Sequence, residues 1–148
     1  MFLLRRLVAL LLGAVVAAAS GSLIQTQFNV AALARLQVDV GIRERLAMTA
    51  GDLLHFAPIF ALLLVVAFLP AFCLAGWLAR RRSARPGWLY ALAGGTAVLA
   101  AFLIMNQLLP MTAVQMTAEP VGLLALSISG VLGGWAFALT RNPTQARE

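Results

Sequence analysis

Apolar residues dominate four long runs: Phe2 to Ile24, Leu53 to Ala79, Trp88 to Leu109 and Val121 to Leu139. Each reaches or approaches the roughly 20 residues a helix needs to cross about 30 Å of hydrocarbon. The second run, at 27 residues, would be about 40 Å long if straight, so it is expected to tilt, kink or protrude. Pro70, in its middle, removes one backbone hydrogen bond and favours a kink. Pro110 stops the third run. The predicted architecture is all-α: one integral membrane domain, residues 1–148, forming a transmembrane four-helix bundle.

Between the first two runs lies the only sizeable polar stretch, residues 25–52. "FNVAALARLQ" extends the first helix past the membrane surface, and "VDVG" breaks it. "IRERLAMTAGDLL" then places Ile42, Leu46 and Met48–Thr49 at helical spacing with Arg43, Glu44 and Arg45 between them. This pattern predicts a short amphipathic helix lying on the membrane surface. "TAGD" fits a capping box, with Thr49 as the cap and Asp52 three residues on, so Asp52 is expected to start the second span.

Small residues recur every four positions. Gly13, Ala17 and Gly21 share a face of the first span; Ala93, Ala97 and Ala101 share one in the third. Gly130 and Gly134 form a GxxxG in the fourth, with Ser127, Ser129 and Gly133 beside them. Such faces let backbones approach closely, and packing drives helix association in lipid. They serve either the bundle itself or a homo-oligomer.

Composition agrees with the pattern: 62% of residues are hydrophobic and 11% charged, at a mean hydropathy of +0.94. A soluble domain carries about 25% charged residues. The net charge is +6, and every basic residue is arginine. These arginines flank apolar spans, a pattern of topology and anionic-lipid contact rather than of nucleic-acid binding. Arg5 and Arg6 precede the first span, Arg80, Arg81, Arg82 and Arg85 fill the loop 80–87, and Arg141 and Arg147 lie in the tail 140–148. These eight arginines share their side with one acid, Glu148, whereas the other side sets Arg35, Arg43 and Arg45 against Asp39, Glu44, Asp52 and Glu119. The positive-inside rule therefore predicts a bacterial inner-membrane protein with both termini cytoplasmic and residues 25–52 periplasmic. Trp77, Trp88, Tyr90 and Trp135 fall near the arginine-rich side as interfacial anchors. The first span also has the layout of a secretory signal, with Ala17-Ala18-Ala19 before Ser20, so retention and cleavage both stand as readings.

Candidate chemistry is sparse. Gln25, Gln27 and Asn29 end the first span, Asp52 and His55 begin the second, Asn106 and Gln107 close the third, and Glu119 precedes the fourth. In a bundle these ends share one layer, so Asp52, His55, Asn106, Gln107, Gln25 and Gln27 are the candidate lining of a polar vestibule. Histidine is the side chain suited to carrying protons near neutral pH. Adjacent amides such as Asn106 and Gln107 are costly in an apolar run without partners, and interhelical hydrogen bonds are their simplest role. Cys73 is the only cysteine and reads as a core filler. One histidine cannot ligate haem from both sides, and no His/Cys/carboxylate cluster has metal-ligand spacing. There is no phosphate loop, no nucleophile–base–acid set and no charge in the middle of a span, so no catalytic residue, metal or cofactor is expected.

"LIQTQFNVAALARL", "RERLAMTAGDLLHFAPIF", "YALAGGTAVLAAFLIMNQLLPMT" and "GLLALSISGVLGGWAFA" together resemble a group of uncharacterised four-span inner-membrane proteins of proteobacteria. The resemblance covers most of the chain and implies no activity. The leading expectation is an accessory or structural protein that binds other membrane proteins or lipids. The alternatives are a component of a small-solute transporter or channel, and a membrane enzyme acting on an amphiphile through Asp52 and His55.

Overall fold

The computed structural model describes residues 2–82, 86–108, 117 and 119–141. They form five α-helices: α1 (Phe2–Arg35), α2 (Ile42–Gly51), α3 (Ala57–Arg82), α4 (Pro86–Leu108) and α5 (Pro120–Arg141). A π-helical turn, Asp52–Phe56, joins α2 to α3 without a break. Four helices are long and apolar enough to cross a bilayer, the second of them running from Ile42 through α3. Their outward faces carry large apolar side chains throughout, among them Leu11, Val15, Leu62, Val66, Leu103, Leu124 and Ile128. A water-soluble surface does not carry apolar patches of that extent. The chain is a multi-pass membrane protein with an all-α bundle fold.

The spans run up and down in a ring, with α1 against α3 and α5, and α4 against α3 and α5. Proline opens α4 and α5 at the first helical position, where its missing N–H leaves no hydrogen bond unmade. The small residues sit where helices meet. On α5, Gly130 and Gly134 face α4: a Cβ on either would strike the backbone of Gly94 or Tyr90. Gly133 faces α1, where its added Cβ would lie 2.6 Å from the Gly13 carbonyl oxygen and 2.7 Å from the Ala17 Cβ. Gly21 faces the Phe60 ring and Ser129. Gly13, Ala17, Gly21, Gly130 and Gly134 are thus all used inside one chain.

α3 contributes bulk instead. Phe60, Leu64, Phe68, Phe72 and Ala75 form its buried stripe. Phe72 stacks on Phe68 and Phe137, with ring centres 4.7 and 4.4 Å apart, and meets the Tyr90 edge at 5.7 Å. Near the other end Phe60 stands between Phe56 and Phe102 at 5.2 and 5.8 Å. Wide side chains thus fill the space that the close α1–α5 and α4–α5 contacts leave beside α3.

Several details differ from the sequence reading. The extension of α1 as a helix, to Arg35, agrees with that reading; the differences lie beyond it. Residues 42–51 are helical, but they run directly into the second span rather than lying as a separate helix, and none of them is buried. Thr49 is not a cap: its hydroxyl donates to the Arg45 carbonyl at 2.8 Å. Glu44 does the capping, accepting the Gly41 N–H at 2.9 Å, because the helix starts a full turn and more before Thr49. Asp52 therefore lies inside a continuous helix rather than at its start. Tyr90 is a core residue, 1% exposed, because its ring completes the Phe72–Phe137 cluster; Trp77, Trp88 and Trp135 do face outward. Cys73 is exposed on the outer face of α3, since it follows the inward Phe72 by one position. As the single long apolar run there implied, α3 continues through Pro70. Residues 109 and 110, where the third span was expected to end, lie outside the described residues.

α1 ends in a Schellman turn. Val38 N–H donates to the Leu33 carbonyl and Gln37 N–H to the Ala34 carbonyl, both at 3.1 Å, and Gln37 takes the left-handed conformation at φ 60°. Glycine is the usual occupant, since a side chain there costs about 1 kcal/mol or more. Gln37→Gly is expected to raise stability by about 1 kcal/mol, read as an upward shift of the thermal midpoint in detergent.

Candidate functional site

The polar residues of the hairpin end resolve into small bonded units. On α1, Thr26 is fully buried, and its Oγ1 lies 2.6 Å from Asp52 Oδ2 and 3.1 Å from the Ser22 carbonyl oxygen. The shorter contact is a charge-assisted hydrogen bond from the hydroxyl to the carboxylate, the stronger class of such bonds. It pins the π-helical turn to the first span. Thr26 was not a candidate in the sequence reading, because nothing in spacing says which α1 residue meets position 52.

The π-helical turn itself has a local cause. Ala57 N–H donates to the Asp52 carbonyl, five residues back. Pro58 follows at once. A proline ring collides with the carbonyl four residues earlier in an α-helix, and a turn widened by one residue relieves that crowding. Pro58 was the sequence signal for this irregularity.

His55 lies in the same turn and is exposed. Its Nδ1 is 3.0 Å from the Gly51 carbonyl oxygen. A carbonyl only accepts, so Nδ1 carries the proton and Nε2 is left for an outside partner. His55 and Asp52 thus share a turn but have different partners.

At the end of α4, Asn106 bonds to the chain just ahead of α5. Its Nδ2 donates to the Thr117 carbonyl at 3.0 Å, and Thr117 Oγ1 donates to Asn106 Oδ1 at 3.4 Å. Thr117 is buried, 3% exposed. Gln107, one position on, is exposed, since neighbours on a helix point about 100° apart. Gln27 is exposed as well, and Gln25 is half-buried.

Two polar atoms near this end have no hydrogen-bond partner: Ser22 Oγ and Gln25 Oε1, both buried. Ser20, Thr49, Thr96, Ser127, Ser129 and Thr140 all donate to a carbonyl of their own helix, so Ser22 departs from the habit of the chain. Ser22, Gln25 and Thr26 occupy consecutive inward positions of α1, and Asp52 joins them through Thr26. Among the described residues, no three histidine, cysteine or acidic side chains gather as a metal site would require.

The arginine-rich end is simpler. Arg80 and Arg81 are exposed, and the Arg81 guanidinium carbon lies 4.4 Å from the centre of the Trp77 ring. The Arg82 side chain and all of Arg85 lie outside the described residues. In comparisons with known proteins, the chain matches no family model, no curated protein and no solved structure.

Proposed function

We propose that the chain is a membrane accessory or structural protein that binds other membrane proteins or lipids. One observation carries this reading. α1 turns back into α2 to form a hairpin, and among the described residues α2 packs only on α1 and the π-helical turn, not on α4 or α5. The tip of this hairpin carries exposed apolar side chains, Leu36, Val38, Ile42 and Leu46, with Ile42 79% exposed. Exposed apolar side chains grouped in this way suit contact with another protein. The chemistry-bearing residues support the same reading, because Thr26 with Asp52 and Asn106 with Thr117 join segments of this chain to one another. The resemblance to proteobacterial four-span proteins and the one-sided arginines support a bacterial inner membrane, with both termini in the cytoplasm and the hairpin outside.

The test is site-specific photo-cross-linking in intact cells from positions 42 and 46, with position 66 on the lipid-facing side of α3 as control. Discrete adducts with another membrane protein are expected from the hairpin positions alone. Absence of any adduct, with no protein retained through gentle extraction, would reject a protein-binding role.

A second reading, a solute-handling component, draws on Ser22 Oγ and Gln25 Oε1. Buried polar atoms without partners sit beside the Thr26–Asp52 pair, where a small polar solute would satisfy them. Flux through proteoliposomes that falls in folded Gln25→Leu and Ser22→Ala variants supports this reading; the absence of solute flux with the unaltered protein counts against it.

A further inference from the structure

At the hairpin end, oxygen atoms gather where α1 meets the π-helical turn. Gln25 and Thr26 follow Ser22 by three and four positions, the spacing that sets helix side chains beside one another. Ser22 and Thr26 are fully buried. Thr26 Oγ1 lies 2.6 Å from Asp52 Oδ2 and 3.1 Å from the Ser22 carbonyl oxygen. A hydroxyl has one proton to give, and the carboxylate takes it, so the lone pairs of Thr26 remain for another partner. Ser22 Oγ and Gln25 Oε1 are buried and have no hydrogen-bond partner. A buried polar atom in a native structure is nearly always bonded, and two beside one carboxylate call for an explanation.

Three properties of the cluster select its ligand. The unengaged atoms are oxygens of hydroxyl, amide and carboxylate groups, which suit hard cations; soft metals take thiolate or imidazole. His55 points its Nδ1 at the Gly51 carbonyl and is exposed, so it stands apart from them. The formal charge is a single negative one, from Asp52, which forms no ion pair among the described residues. One charge repels an anion, balances a monovalent cation and leaves a divalent one half-neutralised. Finally, the bundle side of the cluster is apolar: Gly21, next to Ser22, faces the Phe60 ring and Leu126. Orphan oxygens against such a wall are costly unless an ion or a donor reaches them. Asp52 is partly exposed and opens the cluster to water.

We propose that Ser22, Gln25, Thr26 and Asp52 form a binding site for a monovalent alkali cation, with Ser22 Oγ, Gln25 Oε1, Thr26 Oγ1 and the Asp52 carboxylate as its oxygen ligands. The ion satisfies both orphan oxygens at once and neutralises a carboxylate set against an apolar bundle, where an unbalanced charge is expensive. It also ties α1 to the π-helical turn, at the place where the hairpin joins the spans. Such an ion needs no histidine, cysteine or second acid, so metal-ligand spacing in the sequence does not announce it. The inference deepens the solute-handling reading, whose solute it names, and rests on it.

The experiment is equilibrium binding of radiolabelled sodium to the full chain in neutral detergent, with choline as the replacement cation. Saturable binding is expected, displaced by unlabelled sodium and not by choline. Asp52→Asn and Gln25→Leu should each weaken it at least about tenfold, and Gln27→Leu, at an exposed position next to the site, should leave it unchanged. Ser22→Ala should lose affinity as well, yet in choline it should melt no lower than the parent, because it removes a buried hydroxyl that lacks a partner. No saturable sodium binding, displacement by choline, or undiminished binding in folded Gln25→Leu and Ser22→Ala overturns the proposal. Equilibrium binding requires no transport, so the two failures are separable. Sodium bound without flux in proteoliposomes upholds the site and rejects solute handling; flux of another solute without sodium binding overturns the site and keeps that reading.

Discussion

Gly134→Ala is expected to destabilise the bundle by about 3 kcal/mol, against the usual sign of the substitution. In a free helix the change from glycine to alanine is favourable by about 1 kcal/mol, because the glycine backbone has more freedom to lose. At position 134 the added methyl would meet the carbonyl oxygen of Tyr90 and the Ala91 Cα, both backbone atoms of α4. No rotamer change relieves such a clash; only separation of α4 from α5 does. Separation then loosens Gly94 against Gly130 and draws Tyr90 from its contact with Phe137. Gly51→Ala provides the control. Gly51 is helical, at φ −60° and ψ −48°, and has nothing within 4 Å of an added Cβ. This variant should gain about 1 kcal/mol. Unfolding in detergent, followed by circular dichroism, should move the two midpoints in opposite directions. Equal shifts would mean that α4 and α5 do not meet at Gly134.

Thr26→Val should cost about 2 kcal/mol, the second-largest effect. Valine matches threonine in shape, so packing on α1 is kept while the donor to Asp52 is lost. The carboxylate is partly exposed, so water replaces some of the interaction and keeps the cost near the lower end for a charged hydrogen bond. Thr26→Ser retains the donor and should cost less than half as much. Asp52→Asn removes the charge but keeps an acceptor, so it too should cost less. Combining Thr26→Val with Asp52→Asn tests the pair directly: the double variant should be less destabilised than the sum of the single changes by about 1 kcal/mol. Strict additivity would mean that the π-helical turn is held by something other than this bond.

The four spans were legible because a run of apolar residues of spanning length has few other uses. The small-residue faces were legible for a related reason: Gly130 and Gly134 at four-residue spacing have little to offer except close approach. What the letters lacked was the identity of the facing helix. Tyr90 looked like an interfacial anchor from its place near a span end, but burial depends on the angle at which it meets Phe72 and Phe137. Cys73 looked internal because its neighbours are apolar, yet in a membrane both faces of a helix are apolar, so hydropathy does not tell inside from outside. The hairpin-end residues showed the same limit. Asp52 and Asn106 stood out by type, whereas their partners Thr26 and Thr117 did not, since a threonine in a helix ordinarily bonds to its own backbone. "TAGD" misled because a capping pattern is equally available to a helix already under way; "GIRE", eight residues earlier, was the true start. The π-helical turn left one mark in the sequence, Pro58.

The unequal helices have a consequence for the surrounding lipid. The apolar run that includes α3 covers 27 residues and α5 has only 22, so the molecule meets its bilayer with walls about 40 and 33 Å tall on opposite sides of the ring. A membrane thick enough for the first leaves the second short, and one thin enough for the second strands apolar surface on the first. Lipid chains around the protein must therefore stretch on one flank and compress on the other, or the whole bundle must lean. Either way, local membrane thickness acts on this fold as a mechanical load.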